Sequence, residues 1–308
     1  MTRLATLDTR PTSQLSFGMR RIFAFIAATA ISFSTANSAE IHSYRGQFGA
    51  PFNSFSIEIV GPLERGDSEK FQNEIIRILR EDQRNVIRSL SLLSPGGLVG
   101  EAISIGELVR ALGLTVTAPS YWPEEPEGGP WFCLGAFEQD PFFKNDNCIC
   151  ASACALVWLS GISRTGSVAV HHHFLLGSQS DYKEFSEALA TSRADIERFL
   201  RKMNVPISTI EAIFSTESNK STVLDIEKFK NLLRDSVFSE FLIARCGMAS
   251  DYPLYLQSFA LRTKERPTAR DVEMVERLEA EMGDFRECRS DTLLEIQRQA
   301  QQDFLLGR

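Results

Sequence analysis

The feature that most restricts the fold of this chain is a repeated handover from a short apolar strand, through a turn of small residues, into a segment of helical period. Residues 55–60 (FSIEIV) alternate and are rich in β-branched side chains. Gly61-Pro62 breaks them, and Phe71, Ile75, Ile76 and Leu79 then recur as one helical face. Residues 86–93 (VIRSLSLL) read as a second strand, Ser94-Pro95-Gly96-Gly97 ends it, and Ile103, Ile105, Leu108, Val109 and Leu112 mark the helix that follows. Residues 114–118 return as a strand. A later cycle sets an apolar helix over residues 152–159 before a strand over residues 167–172. Such alternation predicts right-handed βαβ units, and hence an α/β fold whose parallel-rich sheet is covered by helices.

Between these cycles, residues 119–147 carry Pro119, Pro123, Pro126, Pro130 and Pro141 with Gly128-Gly129, the composition of an irregular surface insertion. Its aromatics, among them Tyr121, Trp122, Trp131 and Phe132, suit a lid or an interface better than a solvated linker. Downstream, Tyr182, Phe185, Leu189, Ile196, Phe199, Leu200 and Met203 space out a long amphipathic helix that closes before Pro206, and a shorter helix covers residues 208–214. Beyond residue 235 the chain turns charged and helical, as over residues 271–282. The expected division is therefore a leader over residues 1–39, an α/β domain over 40–234 and a helical C-terminal extension over 235–308.

The leader is read from Met19 onward. Arg20 and Arg21 precede an apolar run from Ile22 to Phe33, and small residues follow through Ala39, the layout of a secretory signal. The run is too short to span a bilayer. Cleavage fits after Ala36, Ser38 or Ala39, and residues 1–18 read as an extension upstream of the true start. A periplasmic or secreted protein is expected. Export makes the even set of Cys133, Cys148, Cys150, Cys154, Cys246 and Cys288 a disulfide framework. Cys246 with Cys288 is the natural long-range pair, and the other cysteines allow three pairings. A zinc site on Cys148, Cys150 and Cys154 is the competing use, although it lacks the usual CxxC knuckles. With 33 Lys+Arg against 40 Asp+Glu the net charge is −7, which excludes a chain-wide electrostatic grip on nucleic acid.

Three segments could carry chemistry. The Ser94-Pro95-Gly96-Gly97 turn sits where a strand hands over to a helix, and its glycines let backbone N–H groups approach an oxyanion with no Cβ in the way. Cys150-Ala151-Ser152-Ala153-Cys154 opens an apolar helix, placing the Ser152 hydroxyl at a positive helix end; the plainer use of such a serine is to cap the helix. Residues 168–170 lead to His171, about twenty residues after Ser152. Of the four histidines, His42 stands alone and His171, His172 and His173 are consecutive. His171 and His173 share a strand face and could chelate an ion, but no third ligand stands out, so neither metal nor cofactor is expected.

In this order, the segments resemble the ClpP-like branch of the ClpP/crotonase superfamily, and more closely its exported bacterial members with an SPGG, CASAC and V-H signature. The resemblance covers residues 55–233. It implies a ClpP/crotonase-like ββα superhelix, with Ser152 as nucleophile, His171 as general base, and the N–H groups of Gly97 and Ala153 as oxyanion hole, Gly96 shaping the turn. It also implies a homo-oligomer. Leu93 stands where the family often has Asn. Ser221 and Thr222 stand where it has the catalytic Asp, leaving Asp225 or Glu217 as substitute acids. The expected function is an exported, ATP-independent serine peptidase that cleaves a peptide or protein substrate through an acyl-enzyme. The chain has no GxxxxGK[ST] motif, and no ATPase partner is expected. The alternative is a catalytically degenerate binding or assembly module on the same fold. Acyl-CoA chemistry of the crotonase type would need a cytosolic thioester pool, which the leader contradicts.

Overall fold

The computed structural model describes residues 38–46, 53–121, 131–132, 148–170, 182–216, 222–224, 232, 234–264 and 266–308. Its centre is a mixed five-stranded sheet in the order β1-β2-β3-β4-β7, built from Glu40–Arg45, Ser54–Val60, Val86–Leu93, Thr115–Thr117 and Ser163–Thr165. β2, β3, β4 and β7 run parallel, and β1 joins β2 antiparallel at one edge. The parallel strands are joined by crossover helices, α1 (Asp67–Glu81) between β2 and β3 and α2 (Val99–Ala111) between β3 and β4, as the alternating pattern predicted. Ile57 with Leu90 and Ile59 with Leu92 stand side by side on one face of β2 and β3, and all four are core residues. On α1 the buried face is Phe71, Ile75, Ile78 and Leu79. Ile78 takes the place predicted for Ile76, because positions four, seven and eight after Phe71 return to one stripe and position five does not.

Two small sheets flank the main one. β5 (Ser120–Tyr121) pairs with β6 (Trp131–Phe132), so the predicted irregular insertion contains a short hairpin. β8 (Val168–Val170) pairs antiparallel with β9 (Thr222–Leu224). The apolar helix α3 (Ala153–Ser160) is buried along its whole length. Its Trp158 donates from Nε1 to Thr165 O at 2.9 Å, which satisfies the indole inside the core. α4 (Tyr182–Lys202) packs through Ile196, Phe199 and Leu200 only. The Tyr182 end predicted for the same face is 84% exposed, because the helix overhangs the core. α5 (Ile207–Ser215) follows.

The C-terminal helices are α6 (Ser236–Cys246), α7 (Tyr252–Arg262) and α8 (Ala269–Leu305). α8 runs far beyond the segment predicted at 271–282 and docks on the sheet. The reason lies in β3, which pairs with β2 from Val86 onward but meets β4 only from Ser89 to Ser91, leaving earlier backbone groups without a strand partner on the β4 side. Buried glutamines of α8 satisfy them. Gln301 accepts from Ile87 N–H at 2.9 Å and donates to Ile87 O at 2.7 Å, while Gln297 donates to Arg88 O at 2.8 Å. At the start of α6, buried Asp235 caps Phe238 N–H and pairs with Arg110 of α2 at 2.9 Å. Residues 36–308 thus form one compact unit. The Cys246–Cys288 disulfide ties α6 to α8, the long-range pair expected from sequence. Among the described residues no helix is long and apolar enough to cross a membrane.

Candidate active site

β3 ends at Leu93, and the next residues build the first wall of the site. Ser94 is fully buried, and its Oγ accepts from Gly96 N–H at 3.2 Å, closing the turn on itself. Gly96 and Gly97 have φ of 110° and 135°, a region that L side chains rarely adopt. The spacing around them leaves no room for substituents. A Cβ on Gly96 would lie 2.6 Å from Ser152 Cβ and 2.8 Å from Ala151 O, and one on Gly97 would strike the backbone of Leu63. The diglycine turn is therefore pressed directly against the predicted nucleophile.

The second wall is the Cys150–Cys154 segment. Ser94 N–H donates to Ile149 O at 2.7 Å and Ala151 N–H to Ser94 O at 3.0 Å, so this segment continues alongside the end of β3. On its other side Ala169 N–H donates to Cys150 O and Ser152 N–H to Ala169 O, each at 2.9 Å. Ser152 consequently lies between the diglycine turn and β8. Its backbone has φ 57° and ψ −123°, an uncommon conformation for a residue with a side chain, placed at the handover into α3. Its side chain makes no capping hydrogen bond, so the plainer reading of Ser152 as a helix cap does not hold. The residue is half-buried and stands at the N-terminal, positive end of a buried helix. A disulfide joins Cys150 to Cys154 across it, with Cα atoms 5.4 Å apart. That bond selects among the open pairings and removes two of the three thiols a zinc site would need. Cys148 is not free either, while Cys133 lies outside the described residues.

The N–H groups of Gly97 and Ala153, predicted as oxyanion donors, donate to no acceptor among the described residues. Leu63 brackets Gly97 without using that amide: Leu63 N–H donates to Gly96 O at 2.7 Å, and Leu63 O accepts from Leu98 N–H at 2.8 Å. Beside Ser152 opens an apolar cavity of about 30 Å³, walled by Val99, Leu156, Val170, Ile213 and Phe214. It has room for a small apolar group.

His171, His172, His173, Glu217 and Asp225 lie outside the described residues. Their flanks are placed. β8 ends at Val170, and its partner β9 runs from Thr222 beside Val170 to Leu224 beside Val168. Two acidic residues escaped the sequence reading. Asp67, fully buried at the start of α1, accepts from Glu64 N–H at 2.7 Å, and Glu101 in the first turn of α2 accepts from Gly66 N–H at 3.1 Å and Ser68 N–H at 2.9 Å. Burial pushes both carboxyls up, but the hydrogen bonds they accept outweigh it and hold each below its ordinary range. An acid at a helix start reads in sequence as dipole compensation, so nothing local marks either as a support of the turn. No family model matches the chain, and no curated protein matches it.

Proposed function

We propose that the protein is an exported, ATP-independent serine hydrolase of the ClpP-like type that cleaves peptide bonds through an acyl-enzyme on Ser152. The observation that carries this reading is the junction at Ser152: a strained serine between strand and helix, touched by a diglycine turn, with the Gly97 and Ala153 amides unpartnered among the described residues. A strained turn of this kind keeps a serine hydroxyl exposed for attack, as in the nucleophile elbow of other hydrolases. Two preorganised N–H donors are what a tetrahedral oxyanion requires, and loss of one such donor costs about 10²–10³ in rate.

His171 is the general base in this mechanism. It follows Val170 directly, and Ser152 N–H is bonded to Ala169 O, so two residues of backbone, at most about 7 Å when extended, separate Ala169 from the Cα that carries the imidazole. His171 takes the Ser152 proton as the carbonyl carbon is attacked and returns it to the leaving amine; water then releases the acyl group by the reverse proton path. The antiparallel register favours Glu217 over Asp225 as the acid behind the ring. The chain before Thr222 leads to the Val170 end of the pair, whereas Asp225 follows Leu224 at the Val168 end. The apolar cavity takes a small aliphatic side chain next to the scissile bond. The leader, together with two disulfides of a kind that persists in oxidising compartments, supports a periplasmic or secreted location.

A labelled fluorophosphonate tests the proposal. Covalent labelling of the wild type, its loss in Ser152→Ala and its slowing by at least about 10²-fold in His171→Ala are expected. A well-folded wild type that takes no label refutes the hydrolase and leaves a binding or assembly module on this fold.

A further inference from the structure

Ser38 and Ala39, at the beginning of the described chain, are held by a single carboxylate. Ser38 Oγ donates to Asp67 Oδ1 at 2.6 Å and Ala39 N–H to Asp67 Oδ2 at 3.2 Å. Lys70 Nζ reaches the same Oδ1 at 3.0 Å and also the Ser38 hydroxyl. Ala39 itself is 3% exposed, seated over Gly61, where an added Cβ would lie 3.7 Å from the Ala39 Cα. Ala39 belongs to the folded core and half-buried Ser38 is bonded to it through Asp67, although both fall within the stretch where a secretory leader is expected to end.

Asp67 connects that seat to the site. The carboxylate oxygen that accepts from Ala39 also accepts from Glu64 N–H at 2.7 Å, and Glu64 follows Leu63, whose N–H and carbonyl bracket Gly97. Glu101 closes the same frame from the other side, joining the first turn of α2 to Gly66 and Ser68. A continuous series of direct contacts therefore runs from Ser38 through Asp67, Glu64 and Leu63 to the turn that presents the Gly97 amide.

We propose that leader cleavage falls after Ala36, that the new terminus keeps Ser38 and Ala39, and that Asp67 seats it as a positioning residue for the diglycine turn. The inference rests on the exported-hydrolase reading. Of the three sites compatible with the sequence, cleavage after Ala39 strips Asp67 of two donors and leaves a fully buried carboxylate with Glu64 N–H and Lys70 alone. Cleavage after Ser38 keeps the Ala39 nitrogen but discards the hydroxyl. Cleavage after Ala36 keeps both, and Ser34 and Ala36 supply the small residues that a signal peptidase reads at the two controlling positions.

The test begins with the full-length chain, expressed with its own leader, recovered from the periplasm and analysed by intact mass and N-terminal sequencing. Asn37 is the expected first residue. A start at Ala39 or Glu40 overturns the assignment, while retention of the leader overturns it together with export. A second chain, with the leader joined directly to Glu40, and an Asp67→Ala variant test the seat. Both should lose at least about 2–4 °C in Tm and take the fluorophosphonate at least tenfold more slowly at temperatures where they remain folded, with Asp67→Asn recovering part of the rate. Gln301→Ala, which weakens the protein through α8, should lower Tm without slowing the label. Wild-type labelling by the chain that starts at Glu40 refutes the positioning role. If the wild type takes no label the hydrolase reading has failed, and the Tm loss and N-terminal sequence still decide whether Asp67 holds the mature terminus.

Discussion

Replacing Gly96 by alanine tests the central contact of the site directly. The new methyl would sit 2.6 Å from Ser152 Cβ, 2.8 Å from Ala151 O and 3.1 Å from Ala153 N, on a residue with φ of 110°. Two costs combine: an unfavourable backbone region, about 1–3 kcal/mol, and overpacking, about 1–3 kcal/mol. The struck atoms belong to a backbone segment that neighbouring hydrogen bonds fix to β8 and Ser94, so the turn must retreat, carrying the Gly97 amide with it. Urea unfolding should show a loss of about 2–6 kcal/mol, and fluorophosphonate labelling of the folded fraction should slow by about 10²-fold. Gly100→Ala is the control. It lies four residues on, in the first turn of α2, where a Cβ meets nothing within 4 Å, so alanine there should stabilise by up to about 1 kcal/mol. A Gly96→Ala protein of wild-type stability and labelling rate would show that the diglycine turn does not touch Ser152.

Other perturbations probe separate parts of the frame. Gln301→Ala orphans the buried N–H and carbonyl of Ile87 and should cost about 2–4 kcal/mol in urea unfolding, a loss under 1 kcal/mol contradicting the docking of α8. Because Asp67 titrates below its ordinary value in the folded chain, its contribution is fully present above the unfolded carboxyl pKa and is lost as pH falls through the lower folded value. Acid unfolding of Asp67→Asn should therefore show a smaller difference in stability between pH 7 and pH 3 than the wild type, and an unchanged difference would refute the buried clamp. Replacing Cys246 and Cys288 together by alanine should cost about 4 kcal/mol and leave labelling intact, whereas the Cys150 and Cys154 pair should cost about 2 kcal/mol and slow it.

What the sequence makes legible follows from where each signal is stored. β2, β3 and α2 were readable because their apolar periodicity is local and they are buried by their immediate neighbours. The edge strand β1 (EIHSYR) and the three-residue β7 (SRT) carry no such periodicity. β7 is a strand because it pairs in parallel with β4, from Thr115 beside Ser163 to Thr117 beside Thr165, a contact between distant segments with no sequence signature. Half of α4 misled the reading, since Tyr182 and Leu189 keep the period of a core face beyond the end of the core. At the site, Gly96, Gly97 and Ser152 were conspicuous because small residues punctuate a turn. Asp67 was not, because its partners Ser38 and Ala39 lie just before β1, 29 and 28 positions away.

A residue in a sparsely populated backbone region, costing about 1–3 kcal/mol, persists only where its surroundings leave it no alternative. Ser152 meets that condition four times over. Its own N–H is committed to Ala169, the two residues before it are bonded to Ser94 and β8, Gly96 packs against its Cβ, and the disulfide closes the segment around it. The magnitudes separate the two disulfides by purpose. A link spanning 42 positions restricts the unfolded chain by about 4 kcal/mol, one spanning 4 positions by only about 2 kcal/mol. The shorter bond is thus a weak staple for the fold as a whole, yet its contribution is of the same order as the strain it encloses. Its position makes physical sense as a device that keeps one serine in one conformation, which a serine serving only to cap α3 would not need.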